Sequence, residues 1–192
     1  MIKELKPAFL MLTILTILTG CIYPAIVTVM AQLLFPAQAV GSLINSNGHN
    51  IGSILVGQNF SDPRYFWGRP SATAPMPYNA AASSGSNMGP LNPALEEVVK
   101  SRIVTLKESD PQQTMAIPVD LVTSSGSGLD PHISPAAAIW QIPRLARVRG
   151  LAVSVVEDLV RQHTEGRTFG VLGEPRVNVL SLNLALDHHN RH

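Results

Sequence analysis

Three places in this chain bring together residue types that could do chemistry, and each lacks a part that the chemistry needs. Gly126-Ser127-Gly128 opens a G-x-G of the kind that cradles phosphate, but Pro131 stands where the third glycine belongs and has no amide to donate. A flexible turn is expected there. Ser86, beside Gly85 and Asn87, has the residue types of a β-lactamase-like Ser/Asn element, yet no S-x-x-K accompanies it. His188, His189 and His192 could hold a stray metal, but a frayed terminus does not supply the hydrogen-bonded surround that orients imidazole ligands. Solvated histidines are expected. There is no G-x-x-x-x-G-K, no G-x-S-x-G and no H-E-x-x-H, and Asn59-Phe60-Ser61 is only a formal glycosylation sequon. No catalytic, cofactor-binding or metal site is expected.

Two isolated charges stand out instead. Arg69 sits at the edge of Pro70 to Leu91, a stretch without any charge, and its five donors suit a clasp on the carbonyls of that loop. Asp130, just before Pro131, suits the end of a turn. Within the loop, Tyr78, Asn79 and Asn87 could bond to a partner without burying charge. The loop is dense in Pro, Ser, Gly, Ala and Asn, too irregular for a regular element and long for a connection. Disordered segments usually carry net charge. This one has none and contains Met76, Tyr78 and Met88, so it is expected to lie ordered against the domain or a partner.

The elements that must position these groups begin with a membrane anchor. Ala8 to Leu34 carries no charge, and a helix over it is about 40 Å long, enough to span a bilayer with tilt. Lys3 and Lys6 precede it and the next Lys or Arg is Arg64, which places residues 1–7 in the cytoplasm as a short tip, 8–35 in the membrane and 36–192 outside. The apolar run outlasts a signal-peptide core. Leu18-Thr19-Gly20-Cys21 resembles a lipobox, the alternative to a retained span, but the chain stays apolar through Phe35. Thr16, Gly20, Pro24, Thr28 and Gln32 recur every four residues as a slowly rotating stripe suited to helix packing; the other reading has the threonines bonded to their own i−4 carbonyls.

Beyond the span, Cys21 being the single cysteine, no intramolecular disulfide can form. Basic and acidic residues balance at twelve each after residue 35, which leaves no basic face for nucleic acid. The outer part reads as an α+β domain. Leu43-Ile44, Ile51 to Val56, Tyr65 to Trp67 and Val119 to Val122 are strand candidates, with a turn from Asn45 to Gly48. Asn92-Pro93 opens a helix whose inner face carries Leu95, Val98, Val99, Arg102, Ile103 and Leu106. Ser134-Pro135 opens a helix expected to break at Pro143 and resume to a Gly150 cap, and Ser154 with Glu157 reads as a capping box. Val177 to Asp187 fits a strand or a helix equally.

Longer strings are more specific. Gly57-Gln58-Asn59-Phe60, Tyr65 through Thr73, Pro77-Tyr78-Asn79, Ser84-Gly85-Ser86-Asn87, Val119 through Ser124, Ser127 through Pro135, Gly173 through Leu180 and Leu182 through Asp187 strongly resemble the C-subunit family of the bacterial Kdp potassium-uptake ATPase. The resemblance covers almost the whole chain. It implies a complex with a channel-like potassium-translocating subunit, a P-type ATPase subunit and a small single-span subunit in the bacterial inner membrane. This chain has no Asp-Lys-Thr-Gly phosphorylation motif, so the resemblance implies an accessory, non-catalytic subunit, with ATP and potassium handled by its partners. It further implies a catalytic chaperone that raises the nucleotide affinity of the ATPase subunit in a ternary complex with ATP. With only residues 1–7 on the cytoplasmic side, such an effect must be coupled through the membrane. Asp130 then has a second reading, near the potassium entrance, where an acidic group raises local cation concentration. A membrane-tethered binding module acting alone is the alternative.

Overall fold

The computed structural model describes residues 2–46 and 48–189, so His192 and the Asn47 position of the first turn lie outside the described residues. Contacts divide the chain into two units, Met1–Ser53 and Ile54–His192. The whole is α+β, with one apolar N-terminal helix followed by helices and small sheets.

In the first unit, helix α1 (Ile2–Ile17), a π turn (Leu18–Ile22) and helix α2 (Tyr23–Leu34) run on without a break. Lys3–Leu34 is, among the described residues, the one helix long and apolar enough to cross a membrane. The π turn answers Pro24. Proline has no amide to return to the carbonyl four residues back, and the turn before it widens so that the Tyr23 amide bonds to the Leu18 carbonyl, five residues back. Off the stripe, Thr13 and Thr19 return their hydroxyls to the Phe9 and Leu15 carbonyls at 2.8 and 2.7 Å. A single turn, α3 (Pro36–Ala39), leads to an antiparallel hairpin of β1 (Leu43–Ser46) and β2 (His49–Ser53), whose turn is held by the Gly48 amide on Asn45 Oδ1 at 3.1 Å. The second strand stops at Ser53, short of the expected Val56.

The second unit is built around α5 (Pro135–Arg149), which lies against α6 (Val153–Gln162) and buries Ala137, Ala138, Trp140, Ile142 and Leu145. Helix α5 does not break at Pro143 as expected. Its Ser134 cap accepts from the Ala137 amide, and Gly150, at φ +66°, closes it in the left-handed conformation that glycine adopts without steric cost. The expected capping box at Ser154 is absent, since α6 starts two residues earlier, after an Ala152 N-cap with no side-chain bond. Helix α4 (Pro93–Ser109) is capped by Asn92 and turns Leu95, Val99, Arg102, Ile103 and Leu106 inward, with Val98 exposed.

A three-stranded antiparallel sheet orders β3 (His132–Ile133), β5 (Arg176–Asn178) and β4 (Thr164–Glu165) with β5 in the centre. The ambiguous C-terminal stretch is both things in turn. Strand β5 passes directly into helix α7 (Val179–His189), which buries Val179, Leu182, Asn183 and Leu186, the i, i+3, i+4, i+7 positions of one helical face. Val119–Leu121 is a 3₁₀ turn rather than a strand, because the Leu121 amide closes back on Pro118 and the Val122 and Thr123 amides close on Val119.

Candidate functional site

The long uncharged loop is stitched to the turn after Leu121, and four of the singled-out residues meet at that seam. Arg69 bridges it: its Nη1 reaches Asp130 Oδ2 at 3.3 Å, and Nη2 and Nε donate to the carbonyls of Ser124 and Thr123 at 3.1 and 3.4 Å. The clasp falls on the carbonyls of the facing turn, not on those of Pro70 to Leu91. Asp130 is doubly engaged, since Oδ1 accepts from the His132 amide at 3.0 Å and lies 3.4 Å from His132 Nδ1. Partial burial alone would raise the Asp130 carboxyl, but the His132 bonds and the Arg69 charge outweigh it and hold it below the usual carboxylate range.

Tyr78 is the keystone of the loop. At φ +57° its amide reaches Ser71 Oγ at 2.9 Å, and its hydroxyl donates to the Arg69 carbonyl at 2.7 Å. Burial pushes its phenol up to about 12. Two glycines make the slot for its ring: a Cβ on Gly57 would stand 2.3 Å from Tyr78 Cε1, and one on Gly68 2.7 Å from its hydroxyl. Asn79 caps a short 3₁₀ turn (Ala80–Ala82) and donates to the Ala74 carbonyl at 3.0 Å. Ser71 Oγ then bonds to the Gly128 carbonyl at 2.7 Å and the Ser84 amide to the Ser127 carbonyl at 3.0 Å. Asn87, at φ +51°, stands apart from this cluster on a stretch where asparagine tolerates the left-handed region. Tyr78 and Asn79 thus spend their polar groups inside the domain, and the surface they brace is preformed.

Beside the seam opens a cleft of about 410 Å³, lined by Arg69, Asp120, Asp130, His132, Glu174 and Arg176. Its charges are mixed. Asp120 is occupied in holding the Ser134 amide and hydroxyl at 2.7 and 3.2 Å, which fixes the start of α5. Among the described residues no group of three or more His, Cys, Asp or Glu side chains is placed to hold a metal.

The residues that position this seam from below were not singled out in the sequence. Tyr65 to Trp67, expected as a strand, pairs with no strand among the described residues and is held by two buried side-chain amides. Asn183 accepts from the Phe66 amide at 2.8 Å and donates to its carbonyl at 3.0 Å; Gln141 does the same for Trp67 at 2.8 and 3.1 Å. Arg144, fully buried, donates to the Pro63 and Tyr65 carbonyls and to Gln141, while its guanidinium stacks 4.8 Å from the Trp67 ring centre. Burial lowers it to about 10, which leaves it charged at neutral pH. Arg102 covers the same ring at 5.4 Å and donates to the Gly68 and Leu121 carbonyls, so Trp67 hands the rigidity of the core to Arg69, two residues on. The available signal was a Gln and an Asn on otherwise apolar helical faces.

A family model described as K+-transporting ATPase, c chain (KdpC) matches residues 5–188. The chain is 65% identical over 187 residues to the potassium-transporting ATPase KdpC subunit of Methylococcus capsulatus, covering 97% of this chain and 98% of that protein. It is 64% identical over 182 residues to the KdpC subunit of Herpetosiphon aurantiacus, covering 95% and 94%, and 63% identical over 183 residues to that of Polaromonas naphthalenivorans, covering 95% and 93%.

Proposed function

The chain belongs to the KdpC family of potassium-transporting ATPase subunits, and we propose that it is an accessory subunit whose second unit braces and shapes the extracytoplasmic mouth of the potassium-translocating partner. It does no chemistry of its own in this reading. The helix Lys3–Leu34 anchors it in the inner membrane with Lys3 and Lys6 on the cytoplasmic side, and the Thr16 to Gln32 stripe packs against partner helices. The channel-like subunit, the ATPase subunit and the small single-span subunit are the proposed partners, and they handle potassium and ATP. Any gain in nucleotide affinity reaches the ATPase subunit through the span, as a coupling between sites rather than a shared contact.

The observation that carries this reading is the seam at Arg69. A loop with no charge is locked by internal hydrogen bonds onto a turn ending in Asp130, which Arg69 neutralises, and this is the construction of a rigid docking surface. Rigid surfaces lose little entropy on association. The test is potassium activation of the ATPase in purified complexes carrying Arg69→Ala, which loosens the seam at its rim and leaves the core untouched.

A further inference from the structure

From the joined pair β4 and β5 a short arm projects, and its tip is apolar. Thr168 and Leu172 pair across it, Leu172 itself 60% exposed, and the turn between them carries Phe169 90% exposed and Val171 71%. The central residues are Phe169 at φ +55° and Gly170 at φ +76°. Positive φ at both positions is the geometry that Asn-Gly fills most easily, and for a bulky side chain the left-handed region is unfavourable. Neither folding nor solubility gains from a phenyl ring held there in water. Strained residues that persist on a surface mark function.

The surroundings select the occupant. A tip that dips into lipid usually brings free basic groups for phosphate, but here the nearby arginines are matched: Arg167 Nη2 lies 2.7 and 2.8 Å from the two carboxylate oxygens of Glu174, Arg176 meets Glu165 at 3.0 Å, and Arg161 meets Asp158 at 2.7 Å. An exposed aromatic ringed by paired charges is the make-up of a protein–protein anchor with its polar rim. At the base of the arm, Gly166 and Pro175 also line a mainly apolar cleft of about 610 Å³ with Ile139, Ile142 and Val160, rimmed by Glu157 and Arg161.

We propose that the Phe169 turn is an anchor that inserts into a preformed apolar pocket on another protein subunit of the potassium-transporting complex. This rests on the reading of the chain as a subunit. Phe169→Asn separates docking from folding, because asparagine suits the turn better than phenylalanine does. The full-length variant is expected to melt at the same or a higher temperature than the wild type, yet to be retained by its partner subunits about tenfold less well in co-purification, as for loss of a central aromatic anchor. A photo-crosslinking benzoylphenylalanine at position 169 is expected to capture a partner subunit. Equal retention of variant and wild type would overturn the anchor alone; a lowered melting temperature would make the ring a structural group and overturn it too. Crosslinks to lipid without protein would assign the tip to the bilayer instead. Failure of the wild-type chain itself to co-purify would overturn the subunit reading and the anchor together.

Discussion

Asn183 and Gln141 each do with one side chain what a neighbouring strand does with its backbone, donating to and accepting from a single buried residue. Removing either leaves an amide and a carbonyl in a dry site, at about 1–3 kcal/mol for each unsatisfied group. Asn183→Leu is therefore expected to destabilise the chain by roughly 2–6 kcal/mol, read by urea unfolding with the buried Trp67 and Trp140 as fluorescent reporters; a loss within about 0.5 kcal/mol would place it with ordinary surface substitutions and contradict this role. Asp130 gives a pH test. Its folded pKa lies below the ordinary Asp value of about 3.9, so the unfolded chain takes up the proton first, and the stabilisation is complete above that value and lost as pH falls through the folded pKa. Asp130→Asn should flatten the fall in stability below about pH 4, measured as urea midpoints across the acid range. Superimposable acid limbs for variant and wild type would remove Asp130 from the account.

Among the elements, the span shows how a local defect can serve a longer pattern. In an unbroken α-helix the sixteen steps from Thr16 to Gln32 leave a net drift of about 160°. The extra residue taken up by the π turn at Leu18–Ile22 returns about 100° of it. The five stripe residues then share one face. Gly20→Leu is expected to weaken co-purification with the partner subunits about tenfold, while Leu15→Phe, off the stripe, has little effect. Pro24→Ala, which lets the turn revert to α, should weaken it as well. Equal retention of all three would dissolve the stripe as a packing face. Much at this scale was legible in the sequence: the span, the Asn92 and Ser134 caps and the Gly150 stop are written in residue types with one strong conformational preference. What was not legible depended on distant partners. Tyr65 to Trp67 has the composition of a strand, but its backbone is claimed by side chains on α5 and α7, more than seventy and one hundred positions away. Leu180 to Leu186 alternates as a strand does, yet its helical face matches the core and the helix prevails. At the seam, Arg69 was visible as a lone guanidinium beside an uncharged loop, whereas its real acceptors, on the Thr123–Ser124 turn, became adjacent only through folding.

For the molecule as a whole, membership of the KdpC family and an apolar helix long enough to cross a membrane make it a component of potassium transport, and the braced seam is the proposed means by which it acts. That proposal separates two quantities that an assembled complex reports independently, the response to potassium and the response to ATP. The most direct test is to purify the complex with Arg69→Ala, verify its subunit composition, and titrate ATPase activity against potassium and against ATP in parallel. The account predicts an intact complex whose half-activating potassium concentration rises several-fold while the KM for ATP stays at the wild-type value. An intact complex with wild-type potassium activation, or one in which only the KM for ATP has moved, would contradict it.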